Sequence, residues 1–317
     1  MNFQQLRIIR ETVRRGFNLT EVAGALYTSQ SGVSKHIKDL EDELGVELFV
    51  RRGKRLTGLT GPGEELIDIV ERLLLEAENI KRIAAQFSQT DRGALTIATT
   101  HTQARYALPT VVTRFKQAFP DVHLVLHQAS PTETAAMLLD GTADIGIATE
   151  SLIDNPDLIS FPFYSWHHAV VVPKGHELES ASSLTLESIA EYPIITYNAG
   201  FTGRSSIDAT FAAAGLAPDI VMAALDADVI KSYVELGLGI GIIASMAFDP
   251  ARDTRLTLLD SPRLFEKNTS RIALRRGRYL RGFAYRFIEF CSPELTEELV
   301  RSEGMPPGNG TVTERVS

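Results

Sequence analysis

The sequence predicts a three-part chain: a winged helix-turn-helix head, one long linker helix and a two-lobed α/β body. Three patterns support this fold class. Residues 18–60 combine two helical apolar patterns with a basic turn, a heptad pattern begins at Pro62, and strand and helix patterns alternate from Leu95 onward. A chain of 317 residues is long enough for two or three domains.

The head, residues 1–60, contains two short helical patterns separated by a polar turn. Val22, Ala23 and Leu26 give the first helix an apolar face, and hydroxyl groups within residues 28–31 offer caps for the second helix. The second helix carries its apolar residues at helical spacing, at Val33, Ile37, Leu40 and Leu44. Its buried face is therefore predicted from Val33 to Leu44.

The polar face of this second helix carries small and basic groups suited to base edges and phosphates. A recognition helix needs this division, because its first turns enter the major groove while its apolar face packs on the domain. The predicted DNA-binding residues here are Thr28, Ser29, Gln30, Ser31, Ser34, Lys35 and Lys38. The alternative is a helical hairpin with a solvated polar face.

A basic turn follows the apolar pair Leu48-Phe49 and predicts the wing. Gly53 permits a tight turn, and the neighbouring cations can neutralise phosphates and release counterions. These cations are Arg51, Arg52, Lys54 and Arg55. Such a charge run is often only a solvated loop, but its position after a helix-turn-helix favours phosphate contact.

The overall composition is that of a soluble globular protein, with 44% hydrophobic and 23% charged residues. The net charge of −8 is unevenly distributed: residues 1–60 hold ten Lys/Arg against seven Asp/Glu, whereas residues 91–317 hold 19 against 27. A basic head can bind a polyanion while the acidic body stays away from it. No apolar run approaches a membrane span and no signal peptide is apparent, so a cytoplasmic location without a membrane partner is expected. The single cysteine, Cys291, excludes an internal disulfide and a Cys-rich metal site.

The linker, residues 61–90, repeats apolar positions with a mean step of about 3.5 residues, which is typical of a coiled-coil seam. The seam positions are Leu66, Ile69/Val70, Leu73, Glu76/Ala77, Ile80, Ile83/Ala84 and Phe87. At 1.5 Å per residue, residues 62–87 would span about 39 Å. The pattern favours a dimerisation helix, because one helix-turn-helix binds DNA weakly and two half-sites need a two-fold partner. The alternative is an amphipathic helix packed on its own domain.

The body alternates strand and helix patterns, which indicates parallel α/β units. Residues 91–163 with 268–295 form the predicted first lobe, residues 164–267 form the second, and residues 300–317 read as a disordered tail. Crossing segments near Ser160–Trp166 and Leu264–Thr269 would leave a ligand cleft between the lobes.

The candidate cleft is marked by polar residues at strand ends, where ligands of open α/β sheets bind. Thr99 to Gln103 lies between a strand and a helix and would suit a small anion, although a hydroxyl-rich N-cap is the simpler explanation. Thr149-Glu150 ends a second strand, and Thr202 would close over the ligand from the other lobe. Arg204 would bind the anion or form a salt bridge across the lobe. The predicted effector-binding residues are Thr100, His101, Thr102, Gln103, Thr149, Glu150, Trp166, Thr202 and Arg204.

Other motifs carry little chemistry. Gly237-Leu-Gly-Ile-Gly241 lies between a helix and a following strand, the reverse of the order that a dinucleotide fingerprint requires. His167-His168 has no carboxylate or thiol nearby in sequence, so no metal or other cofactor is expected, and no nucleophile elbow frames a serine. The sequence therefore gives no positive sign of an enzyme.

These residues resemble a known family, the LysR-type transcriptional regulators, over essentially the whole chain. Within that family the sequence is similar to the CysB-like subgroup, regulators of sulfur assimilation and sulfonate utilisation. The segments that carry the likeness are Ser29–Ser34, Tyr27-Thr-Ser-Gln, Thr99–Pro109, Ile147–Glu150, Gly200–Ser205, Asp226–Lys231 and Ile243–Pro250.

The resemblance implies a homotetramer that dimerises through the linker helix, carries a periplasmic-binding-protein-like (type 2) effector domain, binds double-stranded promoter DNA and activates transcription with RNA polymerase. It also implies a small effector, namely N-acetylserine, sulfate or adenosine phosphosulfate, at Thr100, Thr102, Gln103, Thr149 and Thr202. Asn198-Ala199 departs from the family pattern, in which an aromatic residue precedes Gly-Phe-Thr-Gly. The alternatives are a LysR-type regulator of another operon with a different small anion, a repressor, or a small-anion solute-binding protein.

Overall fold

The structure is a computed structural model, and it describes residues 1–53, 55–88, 92–153, 155–181, 183–259 and 262–304. The chain divides into two compact units, Met1–Phe87 and Ser88–Ser317. Lys54 of the predicted wing and residues 305–317 of the predicted tail lie outside the described residues.

The first unit contains four helices and one hairpin. The helices are α1 (Phe3–Arg14), α2 (Leu19–Ala25), α3 (Gln30–Leu44) and α4 (Gly61–Ser88), and the antiparallel hairpin joins β1 (Phe49–Arg52) to β2 (Arg55–Leu59). The order α2, turn, α3, hairpin is the predicted winged helix-turn-helix. Helix α1 was not predicted; Asn2 and Gln5 form a capping box at its start.

The core of the head confirms most of the predicted apolar face of α3. Val33, Ile37 and Leu40 are almost fully buried and pack with residues of α1, α2 and the hairpin. The prediction was wrong for Leu44, which is 38% exposed. The reason is its position: α3 ends at Gly45 in the left-handed conformation, so Leu44 lies in the last turn, beyond the packed core.

Helix α4 begins where the hairpin returns to the head. The Thr60 hydroxyl donates to the Glu47 carbonyl at 2.6 Å and accepts from the Gly63 N–H at 3.2 Å, so it caps the new helix. A Cβ at Gly63 would lie 2.1 Å from the Leu48 carbonyl oxygen, so only glycine fits there. The start of the linker helix is therefore locked to the wing strand.

Two faces of α4 differ in burial. Val70 and Leu74 are buried against Leu6 of α1, and Glu71 pairs with Arg14 at 3.0 Å. Five large apolar residues of α4 remain exposed within this chain, namely Ile69, Leu73, Ile80, Ile83 and Phe87. One face of α4 thus packs on its own unit, as the alternative of an amphipathic helix predicted. Most positions of the heptad seam remain exposed.

The first sheet of the second unit has the order β4-β3-β5-β12-β6. Its strands are β3 (Gly93–Thr99), β4 (Val122–Gln128), β5 (Ile145–Ala148), β6 (Leu158–Trp166) and β12 (Asn268–Arg275). Strand β3 is parallel to β4 and β5, whereas β12 is antiparallel to β5 and β6. The helices of this lobe are α5 (Pro109–Ala118), α6 (Pro131–Asp140), α10 (Gly282–Cys291) and α11 (Glu297–Gly304).

The second sheet has the order β11-β7-β10-β8-β9. Its strands are β7 (His168–Pro173), β8 (Ile194–Tyr197), β9 (Ile220–Ala224), β10 (Ile240–Ala244) and β11 (Leu256–Leu259). Its helices are α7 (Leu186–Ala190), α8 (Arg204–Ala213) and α9 (Ala227–Glu235). Strand β11 and helix α7 were not predicted, because both are short and lack a clear periodic pattern.

The predicted lobes match the two sheets with one shift. Strand β6 continues through Trp166 in the first sheet, so only His167 separates it from β7 of the second sheet. The second lobe therefore begins about four residues later than the expected 164. The expected disordered tail is also wrong for residues 300–304, which form part of α11 with Val300 buried.

No helix in the described part of the chain is long and apolar enough to cross a membrane.

Candidate DNA-binding surface and ligand cleft

The first turn of α3 presents the predicted base-reading residues. The Ser29 hydroxyl accepts the Gly32 N–H at 3.1 Å and caps the helix. Most members of the predicted set are exposed, namely Thr28, Ser29, Gln30, Ser31, Lys35 and Lys38, while Ser34 is half-buried. The structure therefore exposes one polar and basic face at the start of α3, the end that a recognition helix uses.

The wing divides its cations between two roles. Arg52 and Arg55 are exposed at the hairpin. Arg51 instead pairs with the buried carboxylate of Glu41 at 2.7 Å. Glu41 also accepts the N–H groups of Leu48 and Phe49 at 2.9 and 3.3 Å. Arg51 therefore helps to attach the hairpin to α3, which sequence reasoning missed because Glu41 lies ten positions away.

Tyr27 is a second feature of this surface that sequence reasoning missed. It lies in the turn between α2 and α3, has a left-handed φ of 51° and is 98% exposed. A tyrosine held so far out of the core, beside the face of α3, is available to contact a partner.

The first wall of the cleft is the segment after β3. Thr100, Thr102 and Gln103 are buried, with exposures of 5%, 1% and 1%. Thr102 leads into a π-helical turn, Gln103–Ala107, a local irregularity that often occurs at functional sites. Sequence reasoning placed the next helix at about Leu108, so it missed that residues 101–107 are already helical.

Ser270 of β12 connects the buried residues of this wall. Its hydroxyl oxygen lies 2.8 Å from Gln103 Nε2, 3.0 Å from Trp166 Nε1 and 3.4 Å from Thr149 Oγ1. The structure thus brings together three predicted site residues from β5, β6 and the π-helical turn. Ser270 itself was not predicted, since a serine in the middle of a strand carries no local signal.

The opposite wall is the turn before α8. Thr202 has a left-handed φ of 46°, and its hydroxyl oxygen lies 3.4 Å from that of Thr102 across the cleft. Its carbonyl accepts a hydrogen bond from His168 Nε2 at 2.9 Å, so His168 carries its proton on that nitrogen. Burial lowers the pKa of His168 to about 4, so the ring is neutral near pH 7. His168 therefore supports the turn of residues 200–203 before α8, the ligand turn, through a hydrogen bond to its backbone.

Glu150 joins the two walls. One carboxylate oxygen accepts the Gly203 N–H, and the other, Oε2, is buried without a hydrogen-bond partner among the described residues. Burial raises the pKa of Glu150, because it penalises the charged form more than the Gly203 N–H stabilises it. The cleft thus contains one carboxylate oxygen without a donor, Glu150 Oε2, among several hydroxyl and amide groups that can donate.

Arg204 forms an ion pair within its own helix. Its Nε donates to Asp208 at 2.8 Å and its Nη1 donates to the Tyr197 carbonyl at 2.5 Å. The salt bridge is local to α8, between residues four apart, whereas the sequence suggested one across the lobe as an alternative to anion binding.

His101 faces a charged cluster at the mouth of the cleft. Asp228 of α9 accepts from the Tyr106 hydroxyl at 2.7 Å and from Arg105 Nε at 3.3 Å, and Lys231 lies 3.4 Å away. His101 Nε2 is 4.0 Å from the same carboxylate. Residues from both lobes thus meet around Asp228.

One group of possible metal ligands occurs among the described residues. Ligand atoms of His101, Asp226 and Asp228 lie within 4.8 Å of one another. The surroundings do not suit a cation, because Arg105 and Lys231 already neutralise Asp228.

Two family profiles match the chain. The profile described as "Bacterial regulatory helix-turn-helix protein, lysR family" matches residues 3–64, and the one described as "LysR substrate binding domain" matches residues 88–296. The chain therefore belongs to the LysR family of transcriptional regulators.

Similar proteins carry regulator names. The chain is 62% identical to the HTH-type transcriptional regulator SsuR of Burkholderia cenocepacia over 297 residues, covering 94% of this chain and 96% of that protein. It is 53% identical to the regulator Cbl of Escherichia coli K12, covering 96% of each chain, and 52% identical to CysB of B. cenocepacia, covering 95% and 96%. These relatives confirm the predicted CysB-like subgroup, and they are regulators and not enzymes.

Solved structures agree with the fold. The cofactor-binding domain of the Cbl regulator is 50% identical, with a TM-score of 0.66, and covers 68% of this chain and 94% of that one. Full-length CbnR in complex with its target DNA has a TM-score of 0.56 and 20% identity, covers 92% and 99%, and supports the fold alone. The predicted fold class of winged head, linker helix and two-lobed effector domain is thereby confirmed.

Proposed function

We propose that this chain is a transcriptional activator of sulfur-acquisition genes, those for cysteine biosynthesis and for sulfate or sulfonate uptake. A small effector that binds in the cleft of the second unit controls its activity as an activator. The observation that carries the proposal is the set of neutral donors that meet at the cleft, namely the buried Thr102, Gln103 and Thr202 and the half-buried Thr149. A DNA-binding regulator acts where the chromosome is, so we assign it to the cytoplasm.

The proposed effector is N-acetylserine, sulfate or adenosine phosphosulfate. Hydroxyl and amide donors suit the oxyanion group that each of these ligands carries, because a carboxylate or a sulfate offers only acceptors. Thr100 would add a further hydroxyl to the same wall. His101 and Trp166 would border the ligand, and Arg204 is left to its local ion pair.

Glu150 should make the cleft bind N-acetylserine and sulfate with different affinities. A carboxylate oxygen without a donor opposes sulfate, which is acceptor-only, but it would accept the amide N–H of N-acetylserine. We therefore expect Glu150→Gln to weaken N-acetylserine binding about tenfold and to leave sulfate binding equal or tighter, since a glutamine can donate.

Calorimetry with the three effectors on wild type and Glu150→Gln tests this selectivity. Glu133, an exposed acidic residue in the capping box of α6, provides the control variant Glu133→Gln, which removes one negative charge away from the cleft. Unchanged N-acetylserine affinity in Glu150→Gln would remove the acceptor role.

DNA binding is assigned to the exposed start of α3 and to Arg52, Lys54 and Arg55 of the wing. We propose that two copies pair along the open seam of α4, so that two recognition helices reach successive major grooves about 34 Å apart. Pairs of dimers would then form the homotetramer, and contact with RNA polymerase would give activation.

A gel shift on the promoter of a sulfate or sulfonate uptake operon tests the proposal. We expect a specific shift that survives competitor DNA and changes with one of the three effectors. No shift even at low salt, where phosphate contacts are strongest, would refute the regulator assignment. A shift that none of the three effectors changes would support DNA binding but refute the proposed effectors.

A second candidate is a regulator of another operon, with a different small anion, or a repressor. The observation that favours it is Asn198-Ala199, which lies directly before the ligand turn where the family carries an aromatic residue. The smaller side chains would change the shape of the cleft. Transcription in vitro from the sulfonate promoter separates activation from repression.

A further inference from the structure

Ser270 occupies an unusual place in β12. It is fully buried, and the pairing of β12 with β6 shifts register between Ser270 and Arg271. The extra residue of this β-bulge is Phe163 on β6, so β12 itself keeps its regular alternation. Ser270 therefore lies on the same face of β12 as the buried Ile272 and Leu274, and from there it contacts three cleft residues.

The donors around Ser270 fix the direction of its proton. The indole Nε1 of Trp166 can only donate, and the Gln103 carboxamide is oriented by the Tyr164 hydroxyl, which donates to its Oε1 at 2.5 Å. Gln103 Nε2 therefore donates to Ser270 as well. These two N–H groups occupy both lone pairs of the Ser270 hydroxyl.

The Ser270 proton is then left for a hydroxyl acceptor, and the Thr149 hydroxyl oxygen lies 3.4 Å away. A hydroxyl that accepts this proton turns its own proton away from Ser270. Thr149 consequently becomes a donor on its other side, toward the cleft. A directed chain of hydrogen bonds thus runs from Tyr164 through Gln103 and Ser270 to Thr149.

We propose that Ser270 is a positioning residue that makes the cleft selective for oxyanions, by holding Gln103 and by forcing Thr149 to donate. This inference rests on the proposed function, because it assigns a role toward the ligand of that cleft. Ser270 acts through its neighbours and need not touch the effector. Without its hydroxyl, Thr149 would be free to donate or accept, and the preference for an acceptor-only ligand would fall.

Trp166 provides a spectroscopic signal for the hydrogen bond to Ser270. Trp166 is the only tryptophan in the sequence, and its indole N–H bonds to Ser270. The emission of Trp166 and the indole N–H resonance in a proton–nitrogen spectrum both report this bond. Ser270→Ala should shift both signals before any ligand is added, whereas a change elsewhere on β12 should not.

The test measures sulfate and N-acetylserine affinity in the full chain by calorimetry. We expect Ser270→Ala to weaken the tighter of the two ligands about ten- to a hundredfold, since a lost donor to a charged acceptor has an effect of this size. Ser270→Thr, which keeps the hydroxyl, should restore most of the affinity. Thr269→Val is the matched control, because Thr269 pairs with the exposed Ser165 and not with the cleft.

A double-mutant cycle with Thr149→Val separates positioning from a general structural role. If Ser270 acts through Thr149, removing Ser270 should cost much less affinity in the Thr149→Val background than in wild type. Fully additive losses, or an Ser270→Ala variant that binds like wild type, would overturn the inference. If Ser270→Ala fails to fold, Ser270→Cys keeps the side-chain size with a much weaker acceptor and allows the same comparison.

The proposed effector and the role of Ser270 can be refuted separately. Wild type that binds none of the three effectors would overturn the proposed effector and this inference together. Wild type that binds, with Ser270→Ala unchanged and Trp166 unshifted, would overturn the inference alone.

Discussion

Gly203 lies at the point where the ligand turn meets the rest of the effector domain, and replacing it with alanine should destabilise that domain. Its φ of +69° is left-handed, and a Cβ would stand 2.6 Å from Asn268 Oδ1 and 2.8 Å from His168 Cε1. His168 cannot retreat easily, because it is fully buried and bonded to the Thr202 carbonyl. Two separate costs therefore act on one substitution.

The size of each cost follows from this geometry. A left-handed conformation costs a non-glycine residue roughly 1–2 kcal/mol, and overpacking a fixed core costs about 1–3 kcal/mol. The free energy of unfolding should thus fall by about 2–5 kcal/mol, which for an effector domain of this size lowers Tm by about 4–20 °C. The loss should also weaken the Gly203 bond to Glu150 and with it effector binding.

Gly215 provides a matched control. Its φ of +70° is nearly the same, but a Cβ there would meet nothing within 4 Å. Gly215→Ala therefore has the same cost of a left-handed backbone and the same loss of conformational freedom in the unfolded chain. It lacks only the steric clash of the new Cβ. Thermal unfolding followed by Trp166 emission measures both variants. Equal Tm values for Gly203→Ala and Gly215→Ala would refute the overlap and the close packing of His168 on this turn.

Three further predictions concern the seam, the DNA surface and the pH dependence. Ile80→Glu on the exposed seam should dissociate the oligomer by placing a charge in an apolar contact; an unchanged mass in light scattering would contradict pairing along α4. Gln30→Ala should weaken specific DNA binding more than non-specific binding, whereas Arg52→Ala should weaken both alike. The reverse pattern in gel shifts would overturn the assignment of Gln30 to base contact and of Arg52 to phosphate contact. Burial raises the folded-state pKa of Glu150 above its unfolded value, so the native state binds the proton more tightly and its contribution becomes unfavourable as pH rises through that range. Glu150→Gln should therefore raise Tm at pH 7 but not at pH 4, and equal shifts at the two pH values would count against a buried carboxylate.

Local patterns predicted most of the secondary structure and the outline of the cleft. The capping hydroxyl of Ser29, the apolar spacing from Val33 to Leu40 and the strand ends at Thr99 and Thr149 could be identified from a few neighbouring residues. The predictions were weakest where an element is short or irregular. The π-helical turn after Thr102 is the clearest case, because its spacing matches neither a regular helix nor a strand.

The chemistry inside the cleft depends on contacts between distant parts of the chain. Gln103 and Ser270 are 167 positions apart, and Thr102 and Thr202 are 100 positions apart. No periodicity links such pairs; they meet because of the strand order of the two sheets. For the same reason the sequence suggested Arg51 as a phosphate contact, whereas it pairs with Glu41, and it did not predict that the salt bridge of Arg204 is local to α8.

The sequence by itself determined that this protein has a helix-turn-helix head, a heptad seam and a two-lobed α/β body, because burial of each local element leaves a period in the chain. Only the tertiary structure decided which side chains meet at the cleft. Hydrogen-bond direction depends on atoms brought together from different strands, so the roles of Ser270 and His168 appeared only when the two sheets were in place.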